Sequence, residues 1–245
     1  MSIARHHAEW LSLVEVSGPF LSMPVLLRVF PQGLDAHDAE VSRAVRRALE
    51  EWQDNQQGLR PDPAIHGAWV PGPGEALFKA ISRALGPLPI IAEDLGVITP
   101  DVDALRKKFG FPGMRILQFA FGDDAGNRFL PHNFEPDTVV YTGTHDNDTV
   151  AGWWAAAGDK ERHFARGYLA TDGHDMPWTM IRAAMSSVAD TAVHPMQDVL
   201  ALATDCRMNY PGQESGWWGW RFDWSQVQPW HAGRLAELSR LYGRT

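Results

Sequence analysis

The chain has 245 residues, close to the roughly 250 of a complete (β/α)₈ barrel and within reach of one or two ordinary domains. Hydrophobic residues make up 44% and charged residues 21%, a balance that excludes wholesale disorder. With 22 Lys+Arg against 30 Asp+Glu the formal net charge is −8, which argues against broad electrostatic binding of DNA or RNA. A single cysteine, Cys206, excludes an intrachain disulfide framework and suits a reducing cytoplasm. No segment approaches the roughly 20 uninterrupted apolar residues of a membrane-spanning helix. The opening Met1 to Trp10 carries His, Arg and Glu and lacks the apolar core of a signal peptide. Tryptophan is abundant, at 11 residues. An indole either fills a core, where its N–H needs a partner, or offers a flat platform to a ligand such as a sugar; composition does not choose.

In chain order, the first block runs from Met1 to His66 and reads as a mostly helical N-terminal segment. Its apolar opening is broken by Gly18-Pro19 and Pro24, and Gln32-Gly33-Leu34-Asp35 makes a turn. Asp38 caps a helix to Gln53, on which Val41, Val45, Leu49 and Trp52 repeat at three- and four-residue spacing. Asn55 to Pro63 reads as a linker. The second block, residues 67–245, alternates short apolar strands with helices. A Pro-Gly-Pro-Gly loop at 71–74 leads into a helix, Glu75 to Leu85. Pro89 to Ala92 reads as a strand ending at Glu93-Asp94, and Asp101 caps a helix to Phe109. Met114 to Phe121 and Thr138 to Thr142 are further strands, the second ending at His145-Asp146-Asn147-Asp148. Helices Asp159 to Tyr168 and Pro177 to Ala189 follow, then a fourth strand near Asp205 to Met208, which places Cys206 in a buried strand as an inert core thiol. This texture indicates βα units around a parallel sheet, an α/β class.

In such folds the working groups gather at the carboxyl ends of strands. Two of these ends carry acids, Glu93-Asp94 and the Asp146 cluster. Carboxylates brought to one rim from separate strands suit glycosidic chemistry, in which one protonates the leaving oxygen and another acts at the anomeric carbon. Acids after strands are also common helix caps and turn formers, and spacing alone leaves both readings open.

The residues themselves go further. Pro89-Ile90-Ile91-Ala92-Glu93-Asp94-Leu95-Gly96 resembles the acid/base motif of the amylomaltases, bacterial 4-α-glucanotransferases of glycoside hydrolase family 77. Trp69-Val70-Pro71-Gly72-Pro73-Gly74 resembles the loop before it, Phe111 to Phe119 the next strand, and Pro131-His132-Asn133 follows in order. Tyr141 to Thr149, with Gly152-Trp153, is similar to the family's most distinctive stretch. Pro195 to Leu200 and Arg207 to Gly212 are similar to its last barrel segment. The resemblance implies the C-terminal half of a (β/α)₈ TIM barrel over residues 67–245. The implied activity is retaining transfer of 1,4-α-glucan segments between maltooligosaccharides or starch-like α-glucans, without a cofactor or metal and in the cytoplasm, with no nucleic-acid or membrane partner. It implies Glu93 as general acid/base and Asp146 as the carboxylate that holds sugar hydroxyls and stabilises an oxocarbenium-like state. His145 and His132 hydrogen-bond the sugar beside the scissile bond, and Asn133, Asp94 and Arg207 orient or support. Trp153 and Trp154 either stack on glucan or pack against the barrel wall.

The resemblance also exposes a gap. A retaining transferase needs a nucleophilic carboxylate roughly 5–5.5 Å from the acid/base. In the family it lies in an Arg-x-Asp-His stretch upstream of the Trp-Val loop; this sequence has only Arg46-Arg47-Ala48-Leu49-Glu50-Glu51-Trp52 in a helical context there. The chain is therefore expected to be inactive alone and to self-associate through exposed sheet edges. The alternatives are a non-catalytic glucan binder, a half-enzyme completed by a partner, and a phage-exclusion DNA methyltransferase fragment whose function comes from the first block. Trp217 stands where the family has Asn, and Trp217, Trp218, Trp220, Trp224 and Trp230 are expected to pack the closing helix against the barrel. Residues 1–66 are expected to be a leader of separate origin: Glu9 to Phe20 and Val29 to Asp35 resemble the start of phage-exclusion adenine-specific DNA methyltransferases, without the methylation motifs. Gly72-x-Gly74 fails as a dinucleotide loop because Leu77 stands where Gly is needed, and Asp146-Asn147-Asp148 fails as a calcium loop because Ala151 replaces the turn Gly.

Overall fold

A computed structural model describes residues 72–87, 89–96 and 98–244. The expected leader, its helix over 38–53, the linker over 55–63, the 66/67 boundary and the Trp69-Val70-Pro71 part of the loop lie outside the described residues. The chain divides into two units, one ending at Gly113 and one beginning at Met114.

In the first unit, α1 (Glu75–Leu85) has the expected bounds and buries Phe78 and Ile81. Phe78 meets Ile90, Ala92 and Phe111 in a small core flanked by Leu105 and Phe109. Its aromatic rings lie 5.0 Å (Phe78 to Phe111) and 5.2 Å (Phe78 to Phe109) apart. The second helix, α2 (Pro100–Lys108), starts one residue before the expected cap. Thr99 is its N-cap and Pro100 its first residue, because the ring-locked φ of proline suits that position. Asp101 sits inside the first turn, where a hydrogen bond from the Thr99 side chain holds its carboxyl below the usual range. The expected strand at Pro89–Ala92 falls short of one: Ala92 N–H donates to the Pro112 carbonyl at 2.9 Å, but Pro89 has no N–H to contribute.

Apart from Gly113, which closes the first unit, the second unit carries a sheet in the order β1 (Gly113–Ile116), β2 (Thr138–Tyr141), β3 (Thr191–Val193). β2 and β3 are parallel, with Val139 opposite Thr191, Val140 opposite Ala192 and Tyr141 opposite Val193. All four β1 residues are buried, as expected of a strand covered on both faces. The strand expected to reach Phe121 instead stops at Ile116 and tightens into a 3₁₀ turn, Leu117–Phe119. Leu117, Ala120 and Phe121 all enter the core, a spacing that an alternating strand does not produce.

β3 replaces the strand expected near Asp205 to Met208. That segment opens instead with a 3₁₀ turn, Thr204–Cys206, closed by Arg207 N–H donating to the Thr204 carbonyl. Cys206 is consequently half-buried on a turn, not a core thiol in a strand. β3 has only three residues, too few for a readable alternation.

Between β2 and β3 run α3 (Val150–Ala156), α4 (Asp159–Leu169) and α5 (Met176–Ser186). After β3 come the short α6 (Met196–Val199) and the closing α7 (Pro229–Leu241). Helix α5 is the spine of this unit. Met176, Met180 and Ala184 join Leu117, Phe121, Val140 and Val150 in one core cluster, while Trp178, Ile181 and Met185 join Val199 and Leu238 in a second. A helix apolar on both sides is read as buried, and full burial of each large side chain is worth about 1.5–3 kcal/mol. Trp153 and Trp154 pack against the first cluster. The Trp153 indole N–H reaches Glu161 at 3.1 Å and the Arg166 guanidinium lies 5.4 Å from the Trp154 ring centre, so both serve packing.

The five C-terminal tryptophans do not form one packed cluster. Trp230 stacks on His231, with ring centres 3.7 Å apart, beside Trp178, and so does secure α7. Trp217 lies in tilted contact with Tyr210 and donates to Gln213, while Trp220, Phe222 and Trp224 form a separate row in which Trp220 and Phe222 are half-buried and Trp224 is exposed. Among the described residues no helix is long and apolar enough to cross a membrane.

Candidate active site

The loop over residues 143–149, between β2 and α3, carries His145 and Asp146. Its path is dictated by short polar side chains. Asn147 accepts hydrogen bonds from the Thr144 backbone N–H and hydroxyl, at 2.9 and 2.8 Å, which closes a turn. Thr149 caps α3 by accepting the Gly152 N–H at 3.0 Å. Gly143 is required by close approach: a Cβ there would stand 2.5 Å from the Gln118 amide nitrogen, which donates to the Asp148 carbonyl.

Asp146 is presented to solvent, with its side chain 49% exposed. Asn209 Nδ2 donates to Asp146 Oδ1 at 2.6 Å, and His145 Nε2 lies 3.4 Å from Oδ2. The Arg207 guanidinium donates to the Asp146 backbone carbonyl at 2.6 Å, and Asn209 N–H donates to that of His145 at 3.1 Å. Two residues of the Arg207–Gly212 segment thereby fix the Asp146 backbone and one of its carboxylate oxygens. The His145 ring packs beside Trp218, with centres 5.1 Å apart. Trp218 holds φ at 66°, a left-handed conformation unusual for so bulky a residue, while its N–H donates to the Met208 carbonyl. A partly solvated carboxylate beside an imidazole can accept sugar hydroxyls and place negative charge near a developing cation.

A cavity of about 170 Å³ opens under this loop, lined in part by Thr144, His145, Asp148, Gln197, Asp198 and Arg207. Asp198 is 1% exposed. Its oxygens accept from the Thr142 hydroxyl at 2.5 Å and from the Val150 N–H at 2.8 Å. Burial pushes its carboxyl up to about 6; the two hydrogen bonds oppose the shift and the Asp148 charge adds to it. Asp148 accepts from Thr149 N–H and from the Thr204 hydroxyl, at 2.7 and 3.0 Å.

His132 and Asn133 form a second network: His132 Nδ1 is 2.9 Å from the Tyr168 hydroxyl and Nε2 is 2.9 Å from the Ala125 carbonyl. Asn133 Nδ2 donates to the carbonyls of Ala125 and Asn127. Glu93 and Asp94 belong to the first unit. Glu93 is half-buried. Asp94, expected to orient or support the substrate-binding groups, is 1% exposed, with Arg106 Nε 4.0 Å away. Arg106 is itself buried and donates to the Phe111 carbonyl at 2.8 Å.

Sequence reasoning missed Asp198, Asn209 and Trp218 as parts of the site. For Asp198 a signal existed, an acid inside the apolar run Pro195 to Leu200. For Asn209 and Trp218 it did not, since their contacts depend on where the chain returns.

Comparison with known proteins identifies the family. The family profile described as 4-alpha-glucanotransferase matches residues 32–226. The match thus begins upstream of the expected boundary at 66/67, and the methyltransferase likeness of the first block finds no support in these comparisons. A 4-alpha-glucanotransferase of Synechocystis sp. is 48% identical over 201 residues, covering 81% of this chain and 39% of the relative. That of Thermus thermophilus is 50% identical over 189 residues, covering 74% and 38%. The chloroplastic/amyloplastic enzyme of Arabidopsis thaliana is 52% identical over 188 residues, covering 74% and 32%. The chain therefore spans less than two fifths of the length of these relatives. Among solved structures, the amylomaltase from Streptococcus agalactiae in complex with acarbose is similar with a TM-score of 0.69 and 37% identity, over 73% of this chain and 36% of that one. Because the profile match spans most of the sequence, the chain belongs to the 4-alpha-glucanotransferases of glycoside hydrolase family 77.

Proposed function

We propose that this chain is the acid/base-bearing part of a retaining 4-α-glucanotransferase acting on maltooligosaccharides. The observation that carries the proposal is Asp146, presented on the loop after β2 with one oxygen held by Asn209 and the other beside His145. In this reading the protonated Glu93 gives its proton to the glycosidic oxygen as the C1–O4 bond breaks. A nucleophilic carboxylate captures C1. The Glu93 carboxylate then takes the proton of the acceptor's 4-hydroxyl as that oxygen attacks C1, which restores both groups. Asp146 stabilises the positive charge that develops at the sugar ring in each step. His145 and His132 bind hydroxyls of the adjacent glucose, while Asn133 and Asp94 keep their loops in place. The sequence has no Arg-x-Asp-His stretch, so the nucleophile is to be supplied by another segment.

The same proposal takes residues 67–245 as the C-terminal half of a (β/α)₈ barrel acting in the cytoplasm. The parallel β2–β3 pair and the likeness to the Streptococcus agalactiae structure support the barrel. The acarbose bound to that relative supports an α-glucan-like ligand. Self-association through the edges of the three-stranded sheet follows from the same reading.

Maltotriose disproportionation, followed by chromatography, tests the proposal. The chain alone is expected to release no glucose. Mixed with the Thermus thermophilus segment that precedes the matched region, it is expected to turn over and to lose turnover in Glu93→Gln. Turnover that survives Glu93→Gln overturns the assignment.

A further inference from the structure

The 143–149 loop must place an imidazole and a carboxylate on a sugar, yet it is a solvent-facing stretch with His145 and Asp146 both about half exposed. Asp198 sits behind it. One carboxylate oxygen accepts the Thr142 hydroxyl, from the residue just before the loop, and the other accepts the Val150 N–H, from the residue just after it. The Val150 N–H is one of the first donors of α3, which have no partner within the helix, so a buried anion there is favourable. Asp198 is delivered from a different part of the chain, at the start of α6 behind β3. The far side of α6 is apolar, with Val199 and Met196 packed on Trp178 and Ile181. The titratable or charged groups around the cavity that Asp198 lines are His145, Asp148 and Arg207.

We propose that Asp198 is a positioning residue that clamps both ends of the His145–Asp146 loop through the Thr142 hydroxyl and the Val150 N–H. The proposal rests on the glucanotransferase reading only for the purpose of the loop; the clamp itself stands on geometry. A carboxylate accepts at both oxygens at once, whereas a carboxylic acid must use one oxygen as a donor. Burial raises the Asp198 carboxyl to about 6, so the clamp loses one acceptor below that pH. Asp148 lies on the loop side and favours protonation of Asp198. Its own oxygens are held by Thr149 and Thr204, outside the clamp.

Amide hydrogen exchange of the full chain, read by mass spectrometry in peptides covering residues 142–150, tests the clamp without requiring glucan to bind. At pH 7.5, Asp198→Ala is expected to accelerate exchange in this segment about tenfold or more while peptides from α4 and α5 keep their protection. Asp198→Asn, which keeps the shape but only one carbonyl acceptor, is expected to recover only part of that protection, to the level the parent chain shows once Asp198 is protonated. In the parent chain, exchange corrected for its intrinsic pH dependence is expected to rise in this segment below pH 6, and that rise is expected to vanish in Asp198→Asn. Unchanged exchange over 142–150 in Asp198→Ala, or a pH step that persists in Asp198→Asn, overturns the proposal. If Asp198→Ala loses protection everywhere, Thr142→Val decides, because it removes one bond only: faster exchange confined to the loop supports the clamp, and no change refutes it. Failure of maltoheptaose to bind any variant bears on the glucanotransferase reading alone.

Discussion

Replacing His194 with leucine is expected to stabilise the protein, and to do so more in acid than at neutral pH. His194 follows β3, and among the described residues neither of its buried ring nitrogens has a hydrogen-bond partner. Burial, with a smaller contribution from the Arg244 charge, lowers its pKa from 6.5 to about 4. An unfolded chain binds the proton as pH falls through 6.5, whereas the folded chain resists until about 4. Stability is therefore full above 6.5 and is lost as pH falls through that window. At about 1.4 kcal/mol per pH unit the loss approaches ~3 kcal/mol when complete, and most of it is present at pH 4.5. Leucine has nothing to protonate and no nitrogen to desolvate. We expect a gain of about 1–2 kcal/mol at pH 7, from removing the unsatisfied nitrogens. A further ~2–3 kcal/mol is expected at pH 4.5.

Asp198 makes this comparison necessary. Its folded pKa is raised from 3.8 to about 6, so its protonation favours the folded state as pH falls through that range. In the parent chain the two slopes oppose one another between about pH 4 and 6, and only the variant reveals the histidine term. Urea unfolding followed by tryptophan fluorescence at pH 7 and 4.5 measures the difference. Equal stabilisation at the two pH values would refute the reasoning.

Three further outcomes are expected. Arg244 donates to the carbonyls of Met185 and Ala189 at 2.6 and 2.8 Å, and to those of Ser187 and Ala184 at 2.8 and 3.4 Å, closing the end of α5. Arg244→Ala should cost about 2–3 kcal/mol in a urea melt, and NMR titration should find the His194 pKa raised; an unchanged His194 titration would remove Arg244 as a cause. Gly152→Ala should lower the melting temperature although alanine favours helix, since its Cβ would meet Thr204 Oγ1 and stand 2.6 Å from Asp148 Oδ1; a clash of about 1–3 kcal/mol outweighs a propensity gain of about 1. A higher melting temperature would contradict that packing. Asn209→Ala removes the bond to Asp146 and should weaken maltotriose turnover in the complemented enzyme about tenfold or more, with the melting temperature unchanged; unaltered kinetics would separate Asn209 from the site.

Local chemistry was readable without a structure. The bounds of α1 and the place of β2 follow from patterns within a few residues. The ordered motifs from Trp69 onward carried the family. What a short window cannot contain is the partner of a side chain. Asp94 and Asp146 are both acids just beyond an apolar stretch, yet one is 1% exposed beside Arg106 and the other is open to solvent. The segment expected as a strand at 205–208 opens with a turn, closed by the Arg207 N–H on the Thr204 carbonyl, and the Arg207 side chain reaches the Asp146 carbonyl, 61 residues away in sequence.

By itself, the sequence of 245 residues determined the family, the α/β texture and the candidates Glu93 and Asp146. The agreement of that length with a whole barrel was misleading, since the chain spans less than two fifths of its matched relatives. Tertiary structure alone decided which carboxylates are buried. Asp198 meets Val150 and Thr142 across 48 and 56 residues of chain, and it is this return of the backbone that removes water from the carboxylate and raises its affinity for a proton.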